Sequence, residues 1–220
     1  MNGLLLINKP KGITSFDVIR QLRRTTGVKK IGHAGTLDPL ATGLMLMLFG
    51  TACRKAQQFS KLDKTYVAEL TLGFNSSTGD AEGELIAISD RIPTQSELET
   101  VLNKFIGEIE QTPSVYSAIK IDGKEAYKYA RAGQAVEVPS RKVTINSIEL
   151  LSYSYPLVKI EADVSSGTYI RSLAEDIGKE LGTGAYLSGL ERTRVGDFEA
   201  SEAVDLDQQP DLYIDRLIQI

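Results

Sequence analysis

Two stretches of this chain contain no polar side chain at all, Leu4-Leu5-Leu6-Ile7 and Leu44-Met45-Leu46-Met47-Leu48-Phe49. Apolar runs of this length, bounded by turn residues, read as strands buried on both faces, and they are far too short to span a bilayer. A chain that carries them needs a layered core, with helices and loops over its sheet. The first run ends at the turn Lys9-Pro10-Lys11-Gly12. Beyond that turn, Ser15 reads as an N-cap, and Phe16, Ile19 and Leu22 form one apolar helical face until Gly27 stops the helix. The opposite face carries Arg20, Arg23 and Arg24.

The rest of the chain mixes both kinds of element. A short basic helix is expected around Ala52 to Leu62, a strand over Tyr66 to Leu72 and a polar loop from Asn75 to Gly83. Thr94 with Glu97 three residues on makes a capping box, followed by the apolar face Leu98, Val101, Leu102, Phe105 and Ile106 before Gly107. Val143 to Leu150 and Val158 to Val164 alternate as strands, the second with Val158, Ile160, Ala162 and Val164 on one face. Ser165-Ser166-Gly167 leads into a helix through Ile170, Leu173, Ile177 and Leu181, ended by Gly182. The acidic last twenty residues read as a terminal strand and helix. Without a regular βαβ alternation the class is α+β, and without an internal repeat or linker the expectation is one domain over residues 1–220.

Charge is distributed unevenly. The net charge is -4, yet residues 1–66 hold eleven Lys/Arg against three acids. Phosphate binding depends on local cationic patches rather than on the overall balance. One cysteine, Cys53, leaves no disulfide framework, and one histidine argues against a multi-ligand metal site, so neither metal nor cofactor is expected. With no signal peptide and no transmembrane run, the expected setting is the cytoplasm, away from membranes.

That histidine lies in Gly32-His33-Ala34-Gly35-Thr36-Leu37-Asp38-Pro39-Leu40-Ala41-Thr42-Gly43, a loop with Asp38 at its centre and basic clusters on both sides. A carboxylate acting as nucleophile or base must stay ionised where water is excluded, which needs a cationic partner. Arg171, in Ser166-Gly167-Thr168-Tyr169-Ile170-Arg171, falls in the first turn of a helix, where the dipole disfavours a cation. A specific carboxylate or phosphate would explain it. Tyr66, at a strand start, could offer a stacking face to a base.

These segments resemble the TruB family of tRNA pseudouridine synthases. Asn8-Lys9-Pro10-Lys11-Gly12-Ile13-Thr14-Ser15 is similar to its N-terminal signature, and Gly32 to Gly43 is similar to its catalytic loop. Lys64-Thr65-Tyr66 with Thr78-Gly79-Asp80-Ala81-Glu82-Gly83, and Pro113 to Lys120 with Gly123-Lys124-Glu125-Ala126-Tyr127, resemble further blocks. So do Gly167-Thr168-Tyr169-Ile170-Arg171 and Tyr186 to Thr193. The resemblance implies a pseudouridine synthase catalytic fold, a central mixed, mostly antiparallel sheet flanked by helices and loops. It also implies isomerisation of uridine 55 in the TΨC loop of tRNA, with cleavage of N1–C1′, rotation of the uracil and joining of C5 to C1′.

By the same resemblance Asp38 is the catalytic aspartate, as nucleophile or as base. Arg171 pairs with it, and Tyr66 stacks on the target uracil. His33 replaces the flipped base, Tyr169 and Leu190 line the pocket, Asp80 belongs to the polar network, and Lys9 contacts substrate. Residues from about 116 to 141 match an RNA-gripping insertion whose bases are Lys120, Lys124, Lys128, Arg131, Arg141 and Lys142. Ending at Ile220, the chain is expected to lack the family's small C-terminal PUA-type domain. It is expected to act as a monomer on the tRNA T-arm with no obligate protein partner. A tRNA-binding folding factor and a glycosidase-like enzyme on small nucleosides are the competing readings. Against the second, only Asp80 offers itself as the second carboxylate such chemistry needs.

Overall fold

The computed structural model describes residues 1–116, 119–121 and 123–220. The chain divides into two compact units, Met1–Val67 with Leu190–Ile220, and Ala68–Gly189. In chain order the strands are β1 (Gly3–Lys9), β2 (Ile31–His33), β3 (Thr42–Phe49), β4 (Lys64–Leu72), β5 (Phe74–Ser76), β6 (Leu85–Ala87) and β7 (Gly107–Gln111). They continue with β8 (Lys120–Ile121), β9 (Lys124–Glu125), β10 (Arg141–Ser154), β11 (Leu157–Val164), β12 (Ala185–Val195), β13 (Phe198–Glu199) and β14 (Val204–Asp205). The helices are α1 (Ser15–Thr26), α2 (Ala56–Ser60), α3 (Gln95–Lys104), α4 (Ala126–Arg131), α5 (Ile170–Leu181) and α6 (Pro210–Asp215). Two strands, β4 and β12, begin in one unit and end in the other.

In the first unit the strand order is β14-β1-β3-β12, with β2 on β3 and β13 on β12. The two apolar runs are neighbours, β1 and β3 pairing antiparallel from Gly3↔Phe49 to Lys9↔Gly43. Every residue from Leu44 to Phe49 is fully buried, as are Leu4, Leu5 and Ile7. Leu4, Leu6, Leu44, Leu46 and Leu48 pack with Ala34, Ala52 and Val195 in one cluster. Burial on both faces is what an unbroken apolar strand requires.

Helix α1 departs from expectation at its start. Its N-cap is Thr14, not Ser15: the Thr14 hydroxyl accepts from Asp17 N, and the Asp17 carboxylate accepts from Thr14 N in return. Ser15 is freed for a different bond, described below. Phe16 is not on the apolar face; it is 57% exposed, with the Arg20 guanidinium 5.7 Å from its ring centroid. The buried face is Ser15, Val18, Ile19 and Leu22, and the turn of about 100° per residue takes Phe16 out of it. The basic helix after β3 comes in two pieces, a 3-10 turn over Gly50–Lys55 and then α2.

At Gly43 the backbones of β3 and β12 come very close. The glycine pairs with Lys9 on β1 and, in parallel, with Arg192 on β12. Its φ is +96°, and a Cβ there would lie 2.4 Å from the Arg192 carbonyl oxygen. Gly43→Ala is expected to cost about 2–4 kcal/mol, combining left-handed strain with forced strand separation. A lower urea midpoint at unchanged m-value would show it.

The second unit contains the order β4-β11-β10-β7 and the hairpin β5-β6. Val158, Ile160, Ala162 and Val164 are at most 1% exposed, as their alternation requires. The capping box of Thr94 and Glu97 is present at α3. That helix stops at Lys104, short of Gly107, and leaves Ile106 exposed. The stretch read as a polar loop opens with β5. The architecture is α+β with a mixed, mostly antiparallel sheet, and among the described residues no helix is long and apolar enough to cross a membrane.

Candidate catalytic site

Asp38 sits between β2 and β3 in a loop whose backbone takes several hydrogen bonds. Ala34 N donates to Leu46 O at 3.0 Å, Ala41 N to Asp38 O at 3.1 Å, and Gly12 N to Pro39 O at 2.8 Å. Ser15 supplies a two-way clasp, its hydroxyl donating to Leu37 O at 3.0 Å and accepting from Leu37 N at 2.9 Å. Asp38 itself is half-buried.

Lys9, expected to touch substrate, is fully buried and turned toward this loop. Its ammonium donates to the carbonyls of Ala41 at 2.6 Å, Pro10 at 3.0 Å and Pro39 at 3.4 Å, which uses all three of its hydrogens. Burial lowers its pKa to about 8, with Asp38 opposing that shift and Arg192 adding to it. Arg192 is 1% exposed, donating from Nε to Leu44 O at 2.8 Å and from Nη2 to Gly35 O at 3.3 Å. Lys64, also buried, donates to Ser60 O at 2.8 Å and to Leu62 O. Three buried cations thus accompany the Asp38 loop in this unit. None of the three declares itself in the sequence as buried: Lys9 and Arg192 are held by carbonyls of other segments, Pro39, Ala41, Leu44 and Gly35, and Lys64 by those of Ser60 and Leu62 just before it.

Burial, then Arg192, then Asp63 in opposition set the Lys64 pKa at about 8, below its unfolded value of 10.5. Between those values the unfolded chain binds more protons, so stability attributable to Lys64 rises with pH across that window and is flat below it. The gain is at most about 3 kcal/mol. It is expected as a widening stability advantage of wild type over Lys64→Met between pH 8 and 10, followed by urea denaturation.

His33 ends β2, and burial with the nearby Arg192 charge lowers its pKa, so the ring is held toward its neutral form. Its Nδ1 is buried with no hydrogen-bond partner among the described residues, and the Gly35 backbone opposes the downward shift. Tyr66 is buried on β4, and Leu190 on β12 is half-buried, its carbonyl accepting from Thr42 Oγ1 at 3.4 Å.

The remaining expected residues belong to the second unit. Arg171, in the first turn of α5, has a carboxylate for the dipole to be offset: Asp80 Oδ2 is 3.5 Å from its Nη1, and both side chains are 7% exposed. Arg171 also donates to Thr78 O and Tyr116 O, each at 3.1 Å. Asp80 Oδ1 accepts from Thr78 Oγ1 at 2.6 Å and Glu82 N at 3.1 Å. Glu175, one turn along α5, has its pKa raised by burial first and by Asp176 next, against the pull of Arg171. Tyr169 is the N-cap of α5 and half-buried, with the Arg141 guanidinium 4.7 Å from its ring centroid.

Of the bases expected to meet RNA, Lys142 is exposed and paired with Glu108 at 2.7 Å, and Lys128 is exposed. The side chains of Lys120, Lys124 and Arg131, and residues Ser117 and Ala118 of the matching block, lie outside the described residues. Among the described residues no group of three or more His, Cys, Asp or Glu could hold a metal ion.

The family model described as TruB family pseudouridylate synthase (N terminal domain) matches residues 23–170, and tRNA pseudouridylate synthase B C-terminal domain matches residues 171–217. The tRNA pseudouridine synthase B of Francisella tularensis subsp. tularensis is 48% identical over 220 residues, 99% of this chain and 73% of its own. That of Cupriavidus taiwanensis is 49% identical over 211 residues, 94% of this chain and 67% of its own. A solved structure, "Crystal Structure of a Cbf5-Nop10-Gar1 Complex", superposes with a TM-score of 0.76 at 30% identity over 96% of this chain. This chain spans 54% of that one. With a family model covering most of its length and a relative 48% identical over 99% of it, the chain belongs to the TruB family of pseudouridylate synthases.

Proposed function

We propose that the chain is a tRNA pseudouridine synthase that isomerises uridine 55 in the TΨC loop. The observation that carries the reading is the Asp38 loop: one half-buried carboxylate on a backbone frame locked by Lys9 and Ser15, in a unit with three buried cations. The relatives named as tRNA pseudouridine synthases, nearly half identical over almost all of this chain, support the substrate class.

In this reading Asp38 attacks the ribose or removes a proton from it while the N1–C1′ bond breaks. The freed uracil turns and C5 joins C1′, and the hydrogen first held at C5 leaves as a proton. The uridine must leave the stack, so a side chain must refill the gap. His33, held toward its neutral form and with an unengaged Nδ1, suits that place better than a charged group would. By the family resemblance Tyr66 gives the uracil a stacking face, Tyr169 and Leu190 are pocket residues, Arg171 is the cation assigned to Asp38, and Asp80, which pairs with Arg171, belongs to the polar network. Lys9 acts through the loop it holds rather than on the RNA. The basic residues of α1 and of the insertion meet phosphates, Arg141 excepted because its guanidinium is engaged by the Tyr169 ring and the Gly167 carbonyl, so affinity falls steeply with salt.

The test is tritium release from a [5-³H]uridine-labelled tRNA transcript by the purified chain alone, run beside a transcript with uridine 55 replaced by cytidine. About one label per tRNA, lost with the replacement, is the expected result, since one C5–H bond breaks per isomerisation. Salt-sensitive tRNA binding without any release would favour the folding-factor reading instead.

A further inference from the structure

Gln111 is a polar side chain with no exposure at all, on β7, and the reaction assigns it nothing. Its amide bonds one residue twice: Oε1 accepts from Tyr169 N at 2.8 Å, and Nε2 donates to Tyr169 O at 3.0 Å. This is the bonding that a neighbouring strand would offer, supplied by a side chain. It is placed where α5 begins, at an N-cap position that has no side-chain cap of its own. A buried amide costs free energy unless every donor and acceptor is placed, so an apolar residue would fill the space more simply.

Directly opposite Gln111 in the antiparallel pairing of β7 with β10 stands Arg141. Its guanidinium lies over the Tyr169 ring and donates to the Gly167 carbonyl. Its Nε is buried with no hydrogen-bond partner among the described residues, a cost accepted in an orientation that covers the ring. The same strand also anchors the turn before Tyr169: Ser165 N donates to Thr144 O, and Thr144 N donates to Ser165 Oγ, each at 2.8 Å. One cross-strand pair therefore fixes Tyr169 twice over, Gln111 by its peptide groups and Arg141 by the plane of its ring.

We propose that Gln111 and Arg141 are the positioning pair for Tyr169, setting the angle of its ring and the start of α5 from which Arg171 projects two residues later. The proposal rests on the reading that Tyr169 lines the uracil pocket, but the placement can be tested without turnover. Positioning residues of this kind act on the rate of the bound complex more than on binding.

In the full-length chain labelled with 3-fluorotyrosine, the residue-169 resonance is identified by its loss in Tyr169→Phe. It is expected to shift and broaden in Arg141→Met and to return partway in Arg141→Lys, which restores a cation over the ring. With tRNA, Arg141→Met is expected to lower kcat about tenfold and Gln111→Met about a hundredfold, with KM within about threefold of wild type. In a Tyr169→Leu background, Arg141→Met is expected to have no further effect. Should Gln111→Met fail to fold, the half-exposed Arg141 series decides the matter alone. An unmoved fluorine resonance overturns the proposal, as does a kcat loss that persists without the Tyr169 ring. If wild type makes no pseudouridine, the functional reading fails while the fluorine result still stands or falls separately.

Discussion

Asp38→Asn is expected to lower turnover by at least about 10⁴-fold, the scale on which removing a reacting group acts. Asparagine keeps the shape of the side chain but can serve neither as nucleophile nor as base. The loop should not move. Its geometry comes from backbone bonds, from the Ser15 clasp and from the three Lys9 contacts. Binding of tRNA is expected to stay within about threefold of wild type or to tighten, since a negative charge facing a polyanion is removed. A second readout follows from the charge coupling. Asp38 favours the protonated form of Lys9, so the variant is expected to titrate Lys9 below its wild-type value near 8. Tritium release and filter binding, measured side by side, separate the outcomes, and turnover retained by the variant would falsify the role given to Asp38.

Arg171→Met carries the next largest expectation, and here stability moves with activity. The substitution removes a guanidinium that is almost wholly buried, leaving Asp80 without its ion-pair partner and the Thr78 and Tyr116 carbonyls without those donors. Breaking a buried pair from one side costs about 3–5 kcal/mol. The loss should depend on pH. Glu175 already has its carboxyl raised above the unfolded value, mainly by burial, and Arg171 is the group pulling it back. A raised carboxyl means that the folded state holds more protons above the unfolded pKa, so stability falls as pH rises through that window. Without Arg171 that fall steepens, and the variant should lose more relative to wild type at pH 7 than at pH 5. Arg171→Lys keeps the charge but not the planar fork, and should lie between the two. A melting temperature equal to wild type for Arg171→Met would remove the basis of this account.

The parts of this molecule legible in the sequence were those set by local pattern. Unbroken apolar runs became β1 and β3, alternation became β11, and the Thr94–Glu97 box opened α3. Where two local signals competed, sequence reasoning failed. Thr14 and Ser15 both carry a cap-forming hydroxyl, and only the partner twenty-two residues away, Leu37, decides which of them caps α1. The same limit hid most of the frame around the site. Lysine and arginine are almost never buried, so nothing in the sequence marks Lys9, Lys64 and Arg192 as interior; for Lys9 and Arg192 the carbonyls that claim them are distant ones. Gln111 gave no signal at all, because its meaning lies in a residue fifty-eight positions on. Asp38 itself stood out for the opposite reason: its glycines, proline and lone histidine are all in one stretch.

The Lys9 amine has one more property. In the folded chain the Lys9 amine is wholly buried, so no acylating reagent reaches it, and once exposed it loses the burial that lowers its pKa and reacts as an ordinary lysine does. Its acylation therefore waits on the loop swinging away, and the rate compared with that of exposed Lys55 counts how often this happens. The chain thus carries its own chemical clock for the opening of the Asp38 loop, readable by mass spectrometry with RNA bound or absent.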